Sequence, residues 1–146
     1  MDFTYLFTNV SGRINRMLYW QGILILILAS FVLMVGIVLT IPALGMIGVV
    51  FMFLIGLFGW AASVALVVKR LHDRGKSGHY AWLLYGASIL VQIIDWMYPT
   101  SASMTVFAIV ASLAVAAIIL WFFIELGFLR GTPGPNAYGP DPLEAK

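Results

Sequence analysis

The chain has 146 residues, of which 62% are hydrophobic and only 10% are charged. Its mean hydropathy of +1.02 excludes a water-soluble globular domain, in which charged residues alone make up about a quarter of the sequence. The net charge of +2 is too small to indicate a partner by itself, and we expect no nucleic-acid binding.

The N-terminal segment predicts a short helix at the membrane surface. Within residues 2–10, apolar side chains recur at three- and four-residue steps, which is the spacing of one helical face. Arg13 and Arg16 then precede Tyr19 and Trp20. Cations followed by aromatic residues and a long apolar run are typical of a point where a chain enters the bilayer.

Four apolar segments follow, and each is long enough at ~1.5 Å per residue to cross a ~30 Å hydrocarbon core. They predict an all-α, polytopic membrane protein, a bundle of four transmembrane helices within residues 1–130. The predicted spans cover residues 23–41, 46–68, 80–98 and 104–129. Residues 131–146 form a tail rich in Pro and Gly that cannot be helical, and it is either docked on the bundle or disordered.

Two of the spans carry a distinctive face. The second span has a row of mostly small residues, which predicts a helix-packing seam because small side chains let backbones approach closely in lipid. The third span carries Gln92 and Asp95 on one face with Tyr85 and Ser88, and we expect that polar stripe to look into the bundle. The small-residue row comprises Gly45, Gly48, Met52, Gly56, Gly59 and Ser63.

The charges fix the predicted threading. Four spans place all eight Lys and Arg residues on one side of the membrane, whereas the loops at residues 42–45 and 99–103 on the other side contain none. Cytoplasmic loops are enriched in Lys and Arg. The sequence therefore predicts that both termini are cytoplasmic.

Three separate motifs carry a resemblance to a known family. They are Ser11-Gly12-Arg13-Ile14-Asn15-Arg16, Lys69-Arg70-Leu71-His72-Asp73 followed by Ser77-Gly78, and Gly134-Pro135-Asn136 leading to Tyr138-Gly139-Pro140-Asp141-Pro142. Together, over residues 3–142, they resemble the bacterial family known as domain of unknown function 805. The resemblance implies a small helical protein of the bacterial inner membrane with no established activity. Relatives tend to have Trp after the Ser-Gly pair, where this chain has His79, so no role of His79 follows from the family.

The segment between the second and third spans concentrates the cationic side chains. A purely structural interpretation is sufficient for it: the second span ends near Asp73 or Arg74, Gly75 provides a left-handed stop, and Ser77 caps the third span. Alternatively, these cations converge with two from the N-terminal segment into a site for anionic lipid headgroups, a phosphorylated ligand or a protein partner. The candidate anion-binding residues are Arg13, Arg16, Lys69, Arg70, Arg74 and Lys76.

Glu125 lies about one turn inside the end of the fourth span, where an unpaired carboxylate is costly. We expect it to form an ion pair, with Arg70 as the first choice of partner and Arg13 or Arg16 as the next. An alternative is a proton relay between Glu125 and His72, since histidine titrates near neutral pH. The candidate buried polar or ion-paired residues are Arg70, His72, Asp73, Gln92, Asp95 and Glu125.

Enzyme signatures are incomplete in this chain. Ser77-Gly78-His79 is similar to a fragment of the lipid-phosphate phosphatase signature, but no second, nucleophilic histidine follows it. His72, Asp73 and His79 are metal ligands by type, yet two histidines seven residues apart across a Gly-containing turn make a poor site. No nucleotide-binding motif is present. We therefore expect no enzyme activity, no cofactor and no metal.

Three functional hypotheses remain open at this point. The first is a non-enzymatic membrane protein that engages anionic lipid or a protein partner, with a homo-oligomer as a further predicted assembly. The second is a small transporter or channel for a small solute or protons, and the third is a membrane enzyme. The transport path would be lined by Ser88, Gln92, Asp95 and Glu125.

Overall fold

A computed structural model describes residues 2–98 and 106–144 of the chain. Its helices are α1 (Phe3–Thr8), α2 (Arg16–Asp73), α3 (Tyr80–Met97) and α4 (Val106–Gly127). α2 bends at Gly45, where φ is 52° and ψ is −133°, into two arms. The arms and the two later helices give four segments that are long and apolar enough to cross a membrane. The predicted all-α, four-span architecture with a short N-terminal helix is confirmed.

Parts of the predicted organisation lie outside the described residues. They are the loop at 99–103, the first two residues of the predicted fourth span and the last two residues of the tail.

Local capping explains where the helices begin and end. The Asp2 carboxylate accepts the Tyr5 N–H at 3.0 Å, which caps α1, and the Asn15 side chain accepts the Leu18 N–H at 2.9 Å at the start of α2. Gly75, at φ 68°, follows the end of α2 as predicted. α3 begins at Tyr80, two residues later than a cap at Ser77 implies, but the Ser77 hydroxyl accepts the His79 N–H at 3.3 Å in the turn that leads into the helix.

Most of the buried core lies at one end of the bundle, which we call the basic end and define as residues 2–16, 66–82 and 122–142. In it α1 packs on α2, and the second arm of α2 packs on α3 and α4. The buried apolar side chains there come from all four helices and, at Ile14, from the segment between α1 and α2. They are Leu6, Ile14, Leu66, Val67, Leu71, Ala81, Phe122 and Leu126.

The small-residue row of the second arm does not form the continuous seam that the sequence predicts. A side chain added at Gly56 or Gly59 would find no other atom within 4 Å, so these positions face open space. A groove of about 390 Å³ separates the two arms of α2 beside Gly59. Gly48 of the row is buried, and at the other end of the row the Ser63 hydroxyl lies 2.8 Å from the hydroxyl of Tyr85.

Gln92 and Asp95 are exposed on the outer surface of α3, so the prediction that they are buried is wrong. The buried face of α3 passes through Ala87 and Ile94, which pack toward the rest of the bundle. At about 100° per residue, Asp95 lies about 100° and Gln92 about 200° around the helix from Ile94. Tyr85 and Ser88 are half-buried, so only this part of the predicted polar stripe faces the bundle.

Candidate functional site

Asp73, the last residue of α2, is the centre of a buried ionic network at the basic end. One carboxylate oxygen accepts from Arg13 Nε at 3.2 Å and Nη2 at 3.0 Å, and the other accepts from Arg70 Nη1. Arg70 is fully buried, and Asp73 and Arg13 are 3% and 5% exposed. Two guanidinium groups on one carboxylate leave an excess positive charge, which must be balanced by other acceptors.

Those acceptors for Arg70 are backbone carbonyls at the C-terminal end of α4. Arg70 Nε donates to Leu126 O at 2.7 Å, and Nη2 donates to Leu129 O at 2.5 Å. Trp20 Nε1 donates to Gly127 O at 3.0 Å in the same region. The last carbonyls of a helix have no partners within the helix and carry partial negative charge. Side chains of α2 therefore satisfy the end of α4 and fix where it terminates.

Arg13 performs the same function for the tail. Its Nη1 donates to Gly134 O at 2.7 Å and to Gly139 O at 3.3 Å, and its Nη2 donates to Thr132 O at 2.6 Å. A side chain added at Gly131 would overlap the Asp73 carboxylate, so the tail passes directly over the network. The alternative of a docked tail is thus the one that the described residues adopt.

The tail also contacts the histidine at the end of α2. The Asn136 side-chain amide donates to His72 O at 3.0 Å, and the rings of Tyr138 and His72 stack with centroids 3.9 Å apart and planes 3° apart. His72 Nδ1 lies 3.1 Å from Gly12 O. These contacts join all three motifs that carry the family resemblance into one place.

Lys69 is fully buried without a carboxylate partner among the described residues. Its ammonium donates to the carbonyls of Tyr5 and Leu6, the latter at 2.7 Å, and lies 4.5 Å from the centroid of the Tyr5 ring. Burial raises the pKa of Tyr5, so its hydroxyl stays protonated and donates to Arg13 O at 3.2 Å. Lys69 therefore holds α1 against the second arm of α2.

Glu125 is paired, but not with the predicted partner. Its carboxylate lies 2.9 Å from Arg74 Nε and 3.7 Å from Lys76 Nζ, whereas Arg70 turns toward Asp73 three residues along its own helix. The guanidinium of Arg70 thus donates to Asp73 and to backbone carbonyls instead of pairing with Glu125. Arg74 lies about one turn further along and bridges Glu125 to the carbonyl of Arg130.

The network divides the six candidate cations into two groups. Arg13, Lys69 and Arg70 are buried and donate to protein acceptors, whereas Arg16 is exposed and Arg74 and Lys76 are partly exposed. Sequence reasoning omitted Arg130, which is also exposed at the basic end. Its position just after α4 was the available signal.

Arg16 and Arg130 line a cleft of about 600 Å³ between the start of α2, the end of α4 and the tail. Arg16 Nη1 donates to Phe128 O at 3.0 Å, which holds its guanidinium beside the cleft. Among residues 2–98 and 106–144, no carboxylate lies within ion-pair distance of either arginine. The anchored guanidinium of Arg16 and the exposed side chain of Arg130 thus line a space large enough for a small anionic group.

The remaining candidates do not join this network. Gln92 and Asp95 lie on the outer surface of α3, and Gln92 donates to Ser88 O of its own helix at 3.4 Å. His72 contacts Gly12 and Tyr138 rather than Glu125. Within the described part of the chain, no group of three or more His, Asp or Glu side chains is arranged to hold a metal ion.

Four membrane-spanning segments, a docked tail and a buried Arg–Asp–Arg network define a polytopic helical membrane protein with one structured polar end. The chain belongs to the family described as Protein of unknown function (DUF805), whose model matches residues 7–140. The family resemblance that its three motifs predict is confirmed.

Two relatives from Escherichia coli K12 are similar to this chain. The uncharacterized protein YiiR is 37% identical over 84 residues, which cover 58% of this chain and 55% of YiiR. The inner membrane protein YhaI is 29% identical over 139 residues, which cover 93% of this chain and 87% of YhaI. The match thus spans about half the length of YiiR and most of YhaI. No solved structure matches this chain.

Proposed function

We propose that this chain is a non-enzymatic protein of the bacterial inner membrane that holds an anionic lipid headgroup in the cleft beside Arg16 and Arg130. The observation that supports it best is the pair of exposed guanidinium groups, neither of which has a carboxylate partner in the described part of the chain. An arginine has five N–H donors, and Arg16 uses one of them on Phe128 O. The others are available to phosphate oxygens.

The two carboxylates near the cleft form no ion pair with Arg16 or Arg130 within 4.0 Å, although the charges of Asp141 and Arg130 attract each other. Asp73 is already paired with Arg13 and Arg70. The Asp141 carboxylate accepts backbone N–H groups from Gly134 at 3.0 Å and Leu143 at 2.9 Å. Three arginines and two aspartates of the described part of the chain line the cleft, so it keeps a net positive charge.

The other wall of the cleft is apolar. Met17, Trp20 and Phe128 line it, with side chains that are 69%, 38% and 54% exposed. A lipid carries its phosphate group above its acyl chains. Cations placed above an exposed apolar and aromatic surface are therefore complementary to a lipid. A freely soluble phosphate compound would use only the cationic half.

The placement in the membrane is part of the proposal. The N-terminal segment, the turn after α2 and the tail meet at one end, and seven of the eight Lys and Arg residues lie there. The positive-inside rule puts that end in the cytoplasm, where anionic lipid attracts cations by about 1 kcal/mol each. The inner-membrane name of the relative YhaI supports the same membrane.

The test is the affinity of the full-length protein, in nanodiscs of phosphatidylethanolamine, for added phosphatidylglycerol. We expect the double variant Arg16→Gln/Arg130→Gln to lose about 2 kcal/mol of binding, which is roughly a 30-fold weaker affinity. Lys76→Gln is the control, since it removes one partly exposed positive charge outside the cleft. If Lys76→Gln lost as much binding free energy per removed charge, the lipid would be attracted by the overall positive charge of the surface. That result would refute a defined site.

The transporter alternative has less support. It needs a polar path that joins Asp95 to Glu125, but Asp95 is on the outer surface of α3 and Glu125 is buried beneath Arg74. A homo-oligomer remains a prediction.

A further inference from the structure

A second cleft lies on another side of the basic end and differs in chemistry from the cationic one. It measures about 350 Å³ and opens between the second arm of α2 and the start of α3. Val64, Val68 and His72 follow one another at four-residue steps along its α2 wall, and Trp82 and Tyr85 form the α3 wall. The described residues that line this cleft include no Lys, Arg, Asp or Glu.

Several polar side chains line the cleft: Ser77 Oγ and His79 Nδ1 lie 2.8 Å apart, and the Tyr85 hydroxyl lies 2.8 Å from that of Ser63. His72 adds an acceptor that is held in a fixed orientation. His72 Nδ1 is 3.1 Å from Gly12 O, and since a carbonyl can only accept, Nδ1 carries the proton of the neutral ring. Nε2 is then a hydrogen-bond acceptor, and it bonds to nothing among the described residues. The ring cannot turn away easily, because it is stacked on Tyr138 at 3.9 Å.

The turn between α2 and α3 leaves room at that atom. A side chain added at Gly78 would lie 3.3 Å from His72 Nε2 and 2.8 Å from a methyl of Val68. Glycine at this position therefore keeps Nε2 accessible from the cleft. Trp82, at the mouth, is 64% exposed, so the cleft is open to the lipid that surrounds the bundle.

We propose that this cleft binds a neutral lipid whose head carries a hydroxyl group, with the hydroxyl donating to His72 Nε2. The cleft has this fixed acceptor but no Lys, Arg, Asp or Glu among the described residues that line it, so it offers no countercharge to offset the desolvation of a phosphate or carboxylate head. Two kinds of neutral lipid carry such a hydroxyl. One is a quinol, whose ring could also stack on the aromatic walls, and the other is a diacylglycerol with its free hydroxyl. The site is independent of the cationic cleft and of the function proposed above.

The test uses two pairs of probes on the full-length protein in detergent, measured by calorimetric titration. Ubiquinol-1 is compared with ubiquinone-1, and dioctanoylglycerol with its acetylated form, so each pair differs in the hydroxyl. We expect at least one hydroxyl probe to bind about tenfold more tightly than its match, as one net hydrogen bond provides. The pair that shows the preference identifies the source of the hydroxyl. No binding of either hydroxyl probe, or equal affinity within both pairs, overturns the proposal.

Three variants locate the site. Val64→Phe fills the cleft from its α2 wall and should abolish binding, whereas Val110→Phe, the same change at a 59% exposed position on α4, should not. His72→Phe keeps a ring against Tyr138 but removes Nε2, so it should abolish the preference for the hydroxyl. Normal binding in Val64→Phe, or an unchanged preference in His72→Phe, contradicts the assignment.

Discussion

The two halves of the bundle are held together in different ways. At the basic end, charged side chains are buried, and no buried side-chain nitrogen or oxygen of the described residues lacks a hydrogen-bond partner. In the other half, the buried side chains are few and small, such as Ala87, Ala108 and Val115. Lipid tails are as apolar as leucine, so apolar contacts alone give helices little reason to associate in a membrane. The comparison indicates that the arrangement of the spans is fixed at the basic end, where hydrogen bonds to helix-end carbonyls and the larger part of the apolar core lie together.

Removing Arg70 should have the largest effect on this arrangement. Arg70→Met leaves Asp73 with one cation and leaves the Leu126 and Leu129 carbonyls without their donors. We expect a loss of about 3–5 kcal/mol in the free energy of unfolding, measured by denaturation in detergent. Arg130→Met, at an exposed arginine of the same end, should change it by less than about 1 kcal/mol. Similar losses in both variants would show that the network is not the main restraint.

Gly131→Ala tests how closely the tail is packed on the network. Its added methyl group would overlap the Asp73 carboxylate, and we expect a loss of about 1–3 kcal/mol in the same unfolding measurement. Gly86→Ala is the control in the loosely packed half, since a side chain there finds open space. Because alanine favours a helix over glycine, that control should be neutral or slightly stabilising. A harmless Gly131→Ala would mean that the tail is not held against Asp73.

The partner of Glu125 can be measured by double-mutant cycles. Arg74→Ala and Glu125→Gln should couple by about 1 kcal/mol, because these side chains lie 2.9 Å apart. The cycle of Arg70→Ala with Glu125→Gln should show a smaller coupling, because Arg70 bonds elsewhere. A larger coupling of Glu125 with Arg70 than with Arg74 would support the Arg70–Glu125 ion pair that the sequence predicts.

The smallest effect should be the response of the tail to acid. Backbone N–H donation by Leu143 holds the pKa of Asp141 below its ordinary value of 3.8, with further contributions from Gly134 and from the charges of Arg13 and Arg130. A folded-state pKa below the unfolded value stabilises the docked tail above the ordinary pKa, and the stabilisation is lost as the pH falls through the folded value.

Hydrogen exchange at the Gly134 and Leu143 amides should therefore accelerate at low pH relative to the α4 amides. Asp141→Asn should remove most of that pH dependence. A pH response that persists in Asp141→Asn would assign it to another group.

Much of the fold could be predicted because its signals are local. Hydropathy located four spans, and the glycine at position 75 marked the end of α2. The distribution of Lys and Arg predicted that the N-terminal segment, the turn after α2 and the tail lie at one end. These inferences need only composition and spacing along the chain.

The contacts within the basic end could not be predicted in the same way. Arg13 and Arg70 donate mostly to backbone carbonyls, which every residue carries and which therefore leave no mark on the sequence. The rotation of α3, which places Gln92 and Asp95 outside, depends on how that helix meets the others. Arg70 and Arg74 are one turn apart and equally plausible partners for Glu125 until the other acceptors of Arg70 are known.

The central claim is that the buried cations hold the fold while Arg16 and Arg130 bind anionic lipid. One thermal-unfolding comparison tests whether the two exposed arginines bind lipid without supporting the fold: the wild type and Arg16→Gln/Arg130→Gln, each with and without phosphatidylglycerol in neutral detergent. We predict equal unfolding temperatures without lipid and a lipid-induced rise that is largely lost in the variant, since a ligand stabilises only the protein that binds it. An equal lipid-induced rise in both proteins would contradict the account.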